Sequence, residues 1–192
     1  MNVTIQSATQ DRFEDLRAVL CPNANPRACW CLTYRLPSAE NSALVGDARA
    51  ERMRALCGGA PAPGVLAYVD GTPAGWCAVG PRADFARLVR SKTIPVLDDV
   101  PVWSIVCLVV RAGFRRKGVA GELVRGAVRY AVGQGATCIE AYPIDNAGQR
   151  VSATLAFTGT TKLFADAGFV ECAPTQARSA GLPRVVMRYG AA

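Results

Sequence analysis

The chain contains the apolar run Val102-Trp-Ser-Ile-Val-Cys-Leu-Val-Val110, followed at once by Arg111-Ala-Gly-Phe-Arg-Arg-Lys-Gly-Val-Ala-Gly121. A long apolar run of this kind is typical of a strand that is buried on both faces. The second segment is a basic, glycine-containing turn, after which apolar residues recur at helical spacing. The first turn of a helix carries unpaired N–H groups and the positive end of the helix dipole. The sequence therefore predicts a strand, a loop and a helix N-terminus that binds phosphate or pyrophosphate.

Three basic side chains, Arg115, Arg116 and Lys117, lie in the predicted phosphate-binding turn. The chain of 192 residues has a net charge of +7, which suits an anionic partner. Outside this triplet the basic residues are scattered, so we expect a phosphorylated cofactor and regard a nucleic-acid partner as the less favoured alternative. The triplet could equally be solvated surface charge, but its place in the loop favours contact with phosphate.

Composition indicates one globular domain over residues 1–192. Hydrophobic residues make up 51% of the chain and charged residues 19%, which argues against disorder. The longest apolar stretch is too short to cross a bilayer as a helix, and the N-terminus lacks the features of a signal peptide. We therefore expect a cytoplasmic protein with no membrane partner.

The chain has eight cysteines and no histidine. Three cysteines, Cys21, Cys29 and Cys31, come closest to a metal cluster, but their C-x-C spacing without a second pair is not typical of zinc sites. We expect no metal and favour packing for the cysteines, while any further role of these three stays open. The absence of histidine excludes Ser-His-Asp and Cys-His nucleophilic mechanisms and H-E-x-x-H zinc sites.

Periodicity along the rest of the chain predicts a mixed α/β domain. Two apolar segments flank Asp70-Gly-Thr-Pro73 and predict a β-hairpin over residues 64–79. The helix after the basic turn is predicted over 118–131, the next strand over 137–142 and a further helix over 160–167. Short strands at Phe169-Val170 and over residues 184–189 end the predicted pattern. This order of elements indicates a single α/β domain.

The basic turn and its neighbours resemble a known family. Arg115-x-x-Gly118-x-Ala120 resembles the Q/R-x-x-G-x-G/A pyrophosphate loop of the Gcn5-related N-acetyltransferases (GNAT), and the flanking strand and helix are similar to those of that family. Further on, Leu163-Phe-Ala-Asp-Ala-Gly-Phe169 is similar to the family's Y-x-x-x-G-F signature. The resemblance implies a GNAT-like fold, in which a central mixed sheet has helices on both faces and its central strands splay apart.

The resemblance also implies a reaction and its cofactor. The protein would be an acetyl-CoA-dependent N-acetyltransferase that transfers the acetyl group directly to an amine of a small molecule or a protein. Backbone N–H groups of residues 116–121 would surround the pyrophosphate, and the strand edge at 108–110 would pair with the pantetheine arm. A central-strand N–H would polarise the thioester carbonyl. The implied cofactor-binding residues are Leu108, Val109, Val110, Arg115, Arg116, Lys117, Gly118, Val119, Ala120 and Gly121.

Two residues on the strand after the loop helix are candidates for proton transfer. Glu140 and Tyr142 alternate along this strand and therefore point to the same face. Glu140 is our candidate base, acting through water, and a purely structural ion pair is the equally weighted alternative. Many family members carry a tyrosine four residues before the last glycine of the signature, where this chain has Phe164. Tyr142 is the candidate that would replace that tyrosine as the proton donor to CoA.

The acceptor half of the site is less specific. Trp30, Tyr34 and Arg35 follow the first helix, in the region that shapes the acceptor pocket in related proteins. They could orient a polar or acidic acceptor, and packing at a helix edge is their alternative role. Because of Phe164, a degenerate member that binds CoA and only senses or regulates is the alternative function. The sequence leaves the identity of the amine open, as well as the choice between monomer and homodimer.

Overall fold

The computed structural model describes residues 1–25, 27–149, 151–152, 156–179 and 181–190. Within these residues seven strands form one sheet in the order β1-β2-β3-β4-β5-β7-β6. The strands are β1 (Val3–Ser7), β2 (Gly64–Val69), β3 (Thr72–Pro81), β4 (Val102–Val110), β5 (Cys138–Ala141), β6 (Val170–Ser179) and β7 (Leu182–Tyr189). β4 and β5 run parallel, and the other neighbouring strands pair antiparallel.

Helices cover both faces of this sheet. They are α1 (Phe13–Leu20), α2 (Ser38–Ala43), α3 (Asp47–Cys57), α4 (Ala86–Val89), α5 (Val119–Gly133) and α6 (Thr161–Ala165). α1 and α3 pack with Leu66 and Trp76 on one face, whereas α5 and α6 pack with Val65 and Ala67 on the other. In the part of the chain that the structure describes, no helix is long and apolar enough to span a bilayer. The mixed sheet with helices on both faces is as predicted.

The hairpin β2–β3 is also confirmed. Its turn is Asp70-Gly71, where both residues have positive φ, 48° and 79°. Two successive residues with positive φ are the mark of a type I′ turn, whose twist matches that of the flanking strands. Val69 and Thr72 pair directly on either side of the turn.

The two central strands part after a short parallel ladder. β4 and β5 pair from Val102 and Cys138 to Ile105 and Ala141, where their pairing ends. β4 nevertheless continues to Val110. Its register with β3 shifts at the same level, because Ile105 pairs with Val79 and Cys107 with Ala78. Val106 is thus an extra residue, a β-bulge, at the point where β4 separates from β5.

β6 is much longer than the predicted short strand at Phe169-Val170. It has ten residues, and most of them are exposed. In the described sheet β6 is the edge strand next to β7, and its register shifts twice. An edge strand tolerates proline and bulges and needs no apolar alternation, so its sequence lacks the usual strand pattern.

Helix α5 lies against the sheet through glycine. A Cβ atom added at Gly126 would be 2.5 Å from Cγ2 of Ile5 in β1. At the C-terminal end of the helix, a Cβ atom added at Gly133 would meet none of the described atoms within 4 Å, its chain neighbours and its own helix backbone aside. The absence of a side chain at Gly126 therefore sets how closely α5 approaches β1.

We expect Gly126→Ala to lower the free energy of unfolding by about 1–3 kcal/mol, because the added methyl group overpacks the contact with Ile5. Gly133→Ala is the matched control and should leave stability unchanged or raise it by up to about 1 kcal/mol, since alanine favours helix. Urea unfolding followed by circular dichroism measures both. Equal stability of the two variants would contradict the close packing of α5.

Candidate functional site

The basic loop begins α5 with an exposed, positively charged turn. A short 3-10 turn, Ala112–Phe114, leads to Arg115 in extended conformation, and Arg116 and Gly118 then have positive φ, 60° and 78°. Gly118 is the N-cap, so no cap side chain covers the first-turn N–H groups of α5. The first helical hydrogen bond runs from Glu122 N–H to the Gly118 carbonyl, 3.2 Å. The N–H groups of the residues between Gly118 and Glu122 can donate hydrogen bonds to an anion.

The three basic residues of this loop are all exposed. Arg115 folds back, and its Nε donates to the carbonyl of Val110 at 2.9 Å. Lys117 Nζ lies 5.9 Å from the centre of the Phe114 ring. The loop thus combines exposed positive charge with the uncapped end of α5, next to the last residue of β4.

The far edge of β4 is where the pantetheine contact was predicted. Arg111 N–H donates to the carbonyl of Ala74 in β3, so by alternation Leu108 and Val110 direct their N–H and C=O groups away from β3. The Leu108 N–H donates to the carbonyl of Phe157 at 2.6 Å. The Leu108 N–H, two residues after the bulge at Val106, is therefore already used by a carbonyl of the segment that follows β5. Any other carbonyl that binds there must replace that of Phe157.

Glu140 and Tyr142 do share one face, and they contact each other. The Tyr142 hydroxyl donates to Oε2 of Glu140 at 2.6 Å. Arg82, in the 3-10 turn after β3, donates from Nη1 to the same carboxylate oxygen (2.9 Å) and to the Tyr142 hydroxyl (2.8 Å). Arg188 of β7 donates from Nε and Nη2 to Oε1 at 3.0 and 2.9 Å. Both oxygens of Glu140, which is 1% exposed, already have strong donors.

Two further side chains extend this network. Asp98 accepts two hydrogen bonds from the terminal nitrogens of Arg188, which lower the pKa of the Asp98 carboxyl group. Ser104 of β4 and the Tyr142 hydroxyl share a hydrogen bond of 2.9 Å. Burial, and next the charge of Glu140, raise the pKa of the Tyr142 phenol. The phenol is therefore protonated at neutral pH.

The three predicted acceptor residues have different surroundings. Trp30 is buried and stacks on Phe13, with ring centres 5.7 Å apart. Arg35 is buried too, and its Nη2 donates to the carbonyl of Pro63 at 2.9 Å. Tyr34 is only partly buried, and its hydroxyl accepts a hydrogen bond from Nη1 of Arg184 at 2.8 Å. Trp30 and Arg35 thus have the contacts expected of packing, the alternative role, whereas Tyr34 belongs to a polar contact.

Phe164 and the cysteines lie in packed surroundings. Phe164 is fully buried and packs edge-on against Phe169, with ring centres 5.1 Å apart. Cys31 and Cys107 are buried, and their sulfur atoms are 2.8 Å apart, which joins the segment after α1 to the bulged part of β4. Both are free thiols. Among the described residues, no group of three or more cysteine, aspartate and glutamate side chains could hold a metal ion.

Sequence reasoning did not find the partners of the predicted residues. Ser104 carries a hydroxyl within the apolar run of β4. Arg184 and Arg188 lie two residues before and two after Val186 on β7, on the same face as that buried valine. A charged or hydroxyl side chain at an inward position of an apolar strand is the signal that could have indicated them. Arg82 and Phe157 lie in connecting segments, where no periodicity marks them.

The chain matches a known family. The match is to the family described as Acetyltransferase (GNAT) family, over residues 30–152. This segment contains strands β2 to β5, the bulge at Val106, the basic loop and α5. No curated protein sequence matches the chain.

Solved acetyltransferases have a similar fold. The aminoglycoside acetyltransferase AAC(6')-Ib, in complex with coenzyme A, is 17% identical over 98% of this chain and 94% of its own, with a TM-score of 0.56. A chain of the NatC complex, bound to Gag peptide and CoA, is 13% identical over 98% of both chains, with a TM-score of 0.54. The PaiA N-acetyltransferase from Thermoplasma acidophilum, in complex with coenzyme A, is 12% identical over 98% of this chain and 100% of its own, with a TM-score of 0.54.

We expect Glu140→Gln to lower the free energy of unfolding by about 3 kcal/mol, because it leaves the largely buried Arg82 without its carboxylate and Arg188 with Asp98 alone. Glu122→Gln, which removes the exposed ion pair with Arg125, is the control and should change stability by about 1 kcal/mol or less. Urea unfolding of the two variants checks this. A loss for Glu140→Gln as small as that of the control would show that the network does not hold the fold.

Proposed function

Because the chain belongs to the GNAT acetyltransferase family, we propose that it transfers the acetyl group of acetyl-CoA directly to an amine and releases CoA. The observation that carries this proposal is the parting of β4 and β5 directly before the basic loop and the uncapped end of α5. An anionic head group and an extended arm can bind there side by side. That three solved proteins of this fold carry CoA also supports the proposal.

In the proposed complex, the N–H groups of residues 116–121 bind the pyrophosphate of acetyl-CoA, and Arg116 and Lys117 add positive charge. Gly118 has a positive φ and no side chain, so the backbone can approach the phosphates. The pantetheine arm pairs with β4 at Leu108 and Val110. Its thioester carbonyl accepts a hydrogen bond from the Leu108 N–H once it has replaced the Phe157 carbonyl.

The proposed reaction forms a bond between the amine nitrogen and the acetyl carbon and breaks the bond between that carbon and sulfur. The substrate ammonium loses one proton before attack, and its nitrogen loses a second once the bond to carbon has formed. The departing CoA thiolate takes up one proton, so one proton is released in each turnover. Holding the two reactants together supplies much of the acceleration. A thiolate with a pKa near ~8.5 leaves without strong assistance.

Tyr142 and Glu140 are our proposed proton-transfer residues. Tyr142 lies directly after the last residue of β5, where the strands part, and its protonated hydroxyl contacts Glu140. We assign to Tyr142 the donation of a proton to the thiolate. Glu140 serves as the proton acceptor through Tyr142 or water, because its own oxygens are covered by Arg82 and Arg188. Tyr34 is proposed to line the acceptor side, with Trp30 and Arg35 packed behind it.

A second candidate function follows from Phe164. A fully buried phenylalanine lies where many family members carry a tyrosine hydroxyl. A protein that binds CoA without catalysing transfer would need no such hydroxyl. Binding and turnover must therefore be measured separately.

We expect acetyl-CoA at about 100 times its Kd to stabilise the protein by about 2.7 kcal/mol, measured as a rise in Tm. Gly118→Ala should weaken binding about tenfold or more by calorimetry, because a methyl group strains the loop and hinders the phosphates. Gly135→Ala is the matched control, since Gly135 also has positive φ and open surroundings but lies beyond the other end of α5. Absence of any cofactor effect on folded protein would refute the proposal.

Turnover separates an enzyme from a sensor. We expect CoA release, followed with a thiol reagent over a panel of amines, to reveal at least one acceptor. With that acceptor Tyr142→Phe should lower kcat about tenfold or more with an unchanged KM for acetyl-CoA. Ser104→Ala, which removes a neighbouring hydroxyl and keeps the phenol, is the control and should retain most of kcat. Binding without release for every amine would favour the sensor, and equal losses for both variants would argue against Tyr142 as the proton donor.

A further inference from the structure

Arg184 is a buried guanidinium group with an unused nitrogen. It lies on β7 and is 5% exposed. Nε donates to the carbonyl of Tyr142 at 2.8 Å, and Nη1 donates to the hydroxyl of Tyr34 at 2.8 Å. Nη2 is fully buried and has no hydrogen-bond partner among the residues that the structure describes. A buried donor without a partner carries the full penalty of desolvation.

Arg184 also lacks a compensating charge. Three other arginines on this face have carboxylates near them, since Arg188 and Arg82 contact Glu140 and Arg35 lies 3.9 Å from Asp84. Among the residues that the structure describes, no carboxylate lies within 4.0 Å of the Arg184 guanidinium; its partners are a carbonyl and a phenol. A buried cation that contacts only neutral oxygens is unfavourable unless an anion joins it.

Arg184 contacts the chain at the point where β4 and β5 separate. Its Nε holds the carbonyl of Tyr142, the first residue after β5 has separated from β4. Its backbone pairs with Ile144, which also pairs with Thr160 at the start of α6. Thr158 lies between Phe157, which covers the Leu108 N–H, and that pair. Its buried hydroxyl also has no partner within the described parts of the chain. Both of these polar groups therefore lie near the bridge of Ile144 to Thr160 and Arg184, one on β7 and one just before α6.

We propose that the amine accepted by this protein carries a carboxylate, and that Arg184 binds this carboxylate through Nη2, with the Tyr34 hydroxyl beside it. The inference rests on the proposed acetyl transfer and names the class of its acceptor. A single carboxylate supplies one negative charge and two acceptor oxygens, which match the missing charge and the unused donor of Arg184. The same buried cation disfavours acceptors that carry several positive charges and no acid.

The test uses pairs of ligands that differ only in the carboxylate. Amino acids with the amine at increasing distances from the acid are compared with their carboxamides in the CoA-release assay. We expect kcat/KM to favour the acid in at least one pair by about tenfold or more, the size of one charge-assisted hydrogen bond. Arg184→Gln should abolish this preference, and Arg184→Lys should weaken it while keeping the charge. Arg178→Gln, an exposed arginine of the neighbouring strand β6, should preserve it.

A binding measurement separates this inference from the proposed reaction. The N-acetylated acids, which are the expected products, and their amides are tested for a rise in Tm of the full chain without cofactor. A rise with the acid alone that Arg184→Gln removes supports the carboxylate site, even if no acetyl-CoA binds and the proposed transfer fails. If Arg184→Gln does not fold, Arg184→Lys answers the same question. Equal responses to acids and amides, no response to any acid, or a preference that persists in folded Arg184 variants would overturn the inference.

Discussion

The buried carboxylate of Glu140 lies between two guanidinium groups that come from distant parts of the chain. Arg82 follows β3, 58 positions before Glu140, and Arg188 lies 48 positions after it on β7. Glu140 thus joins three segments of the chain, and removing it leaves Arg82 without its carboxylate and Arg188 with Asp98 alone. Through this contact β5 is held between β4 and β7 at the level of Ser104 and Glu140, where the parallel ladder still exists. One pair of residues further on, the ladder ends.

The two halves of the site are built by different means. The proposed cofactor half depends on backbone geometry: the bulge at Val106, the positive φ of Gly118 and the close packing of α5 at Gly126. The other half depends on side chains that meet on the opposite face, among them Tyr142, Tyr34 and Arg184. Backbone geometry follows from a few small residues in fixed order, and many different acceptor halves are compatible with it.

The same division explains how much could be predicted. Local patterns predict the strand, basic loop and helix over 102–133, and Asp70-Gly71 predicts the turn of the hairpin. β6 could not be predicted in full because an exposed edge strand has no apolar alternation. The shared face of Glu140 and Tyr142 follows from a period of two, but their arginine partners depend on contacts across the whole chain. Whether Trp30 and Arg35 face a ligand or the core is likewise a matter of tertiary packing that local spacing does not contain.

The Leu108 N–H at the edge of β4 already donates a hydrogen bond to the Phe157 carbonyl. One N–H cannot serve two carbonyls along the same line, so a ligand that uses it competes with the protein's own backbone. Its observed affinity is then the intrinsic affinity multiplied by the fraction of molecules in which Phe157 has withdrawn. The same competition acts on departure, because the returning carbonyl of Phe157 restores the hydrogen bond that the leaving ligand gives up. The carbonyl of Phe157 would thereby weaken the binding of such a ligand without contributing an atom to the chemistry.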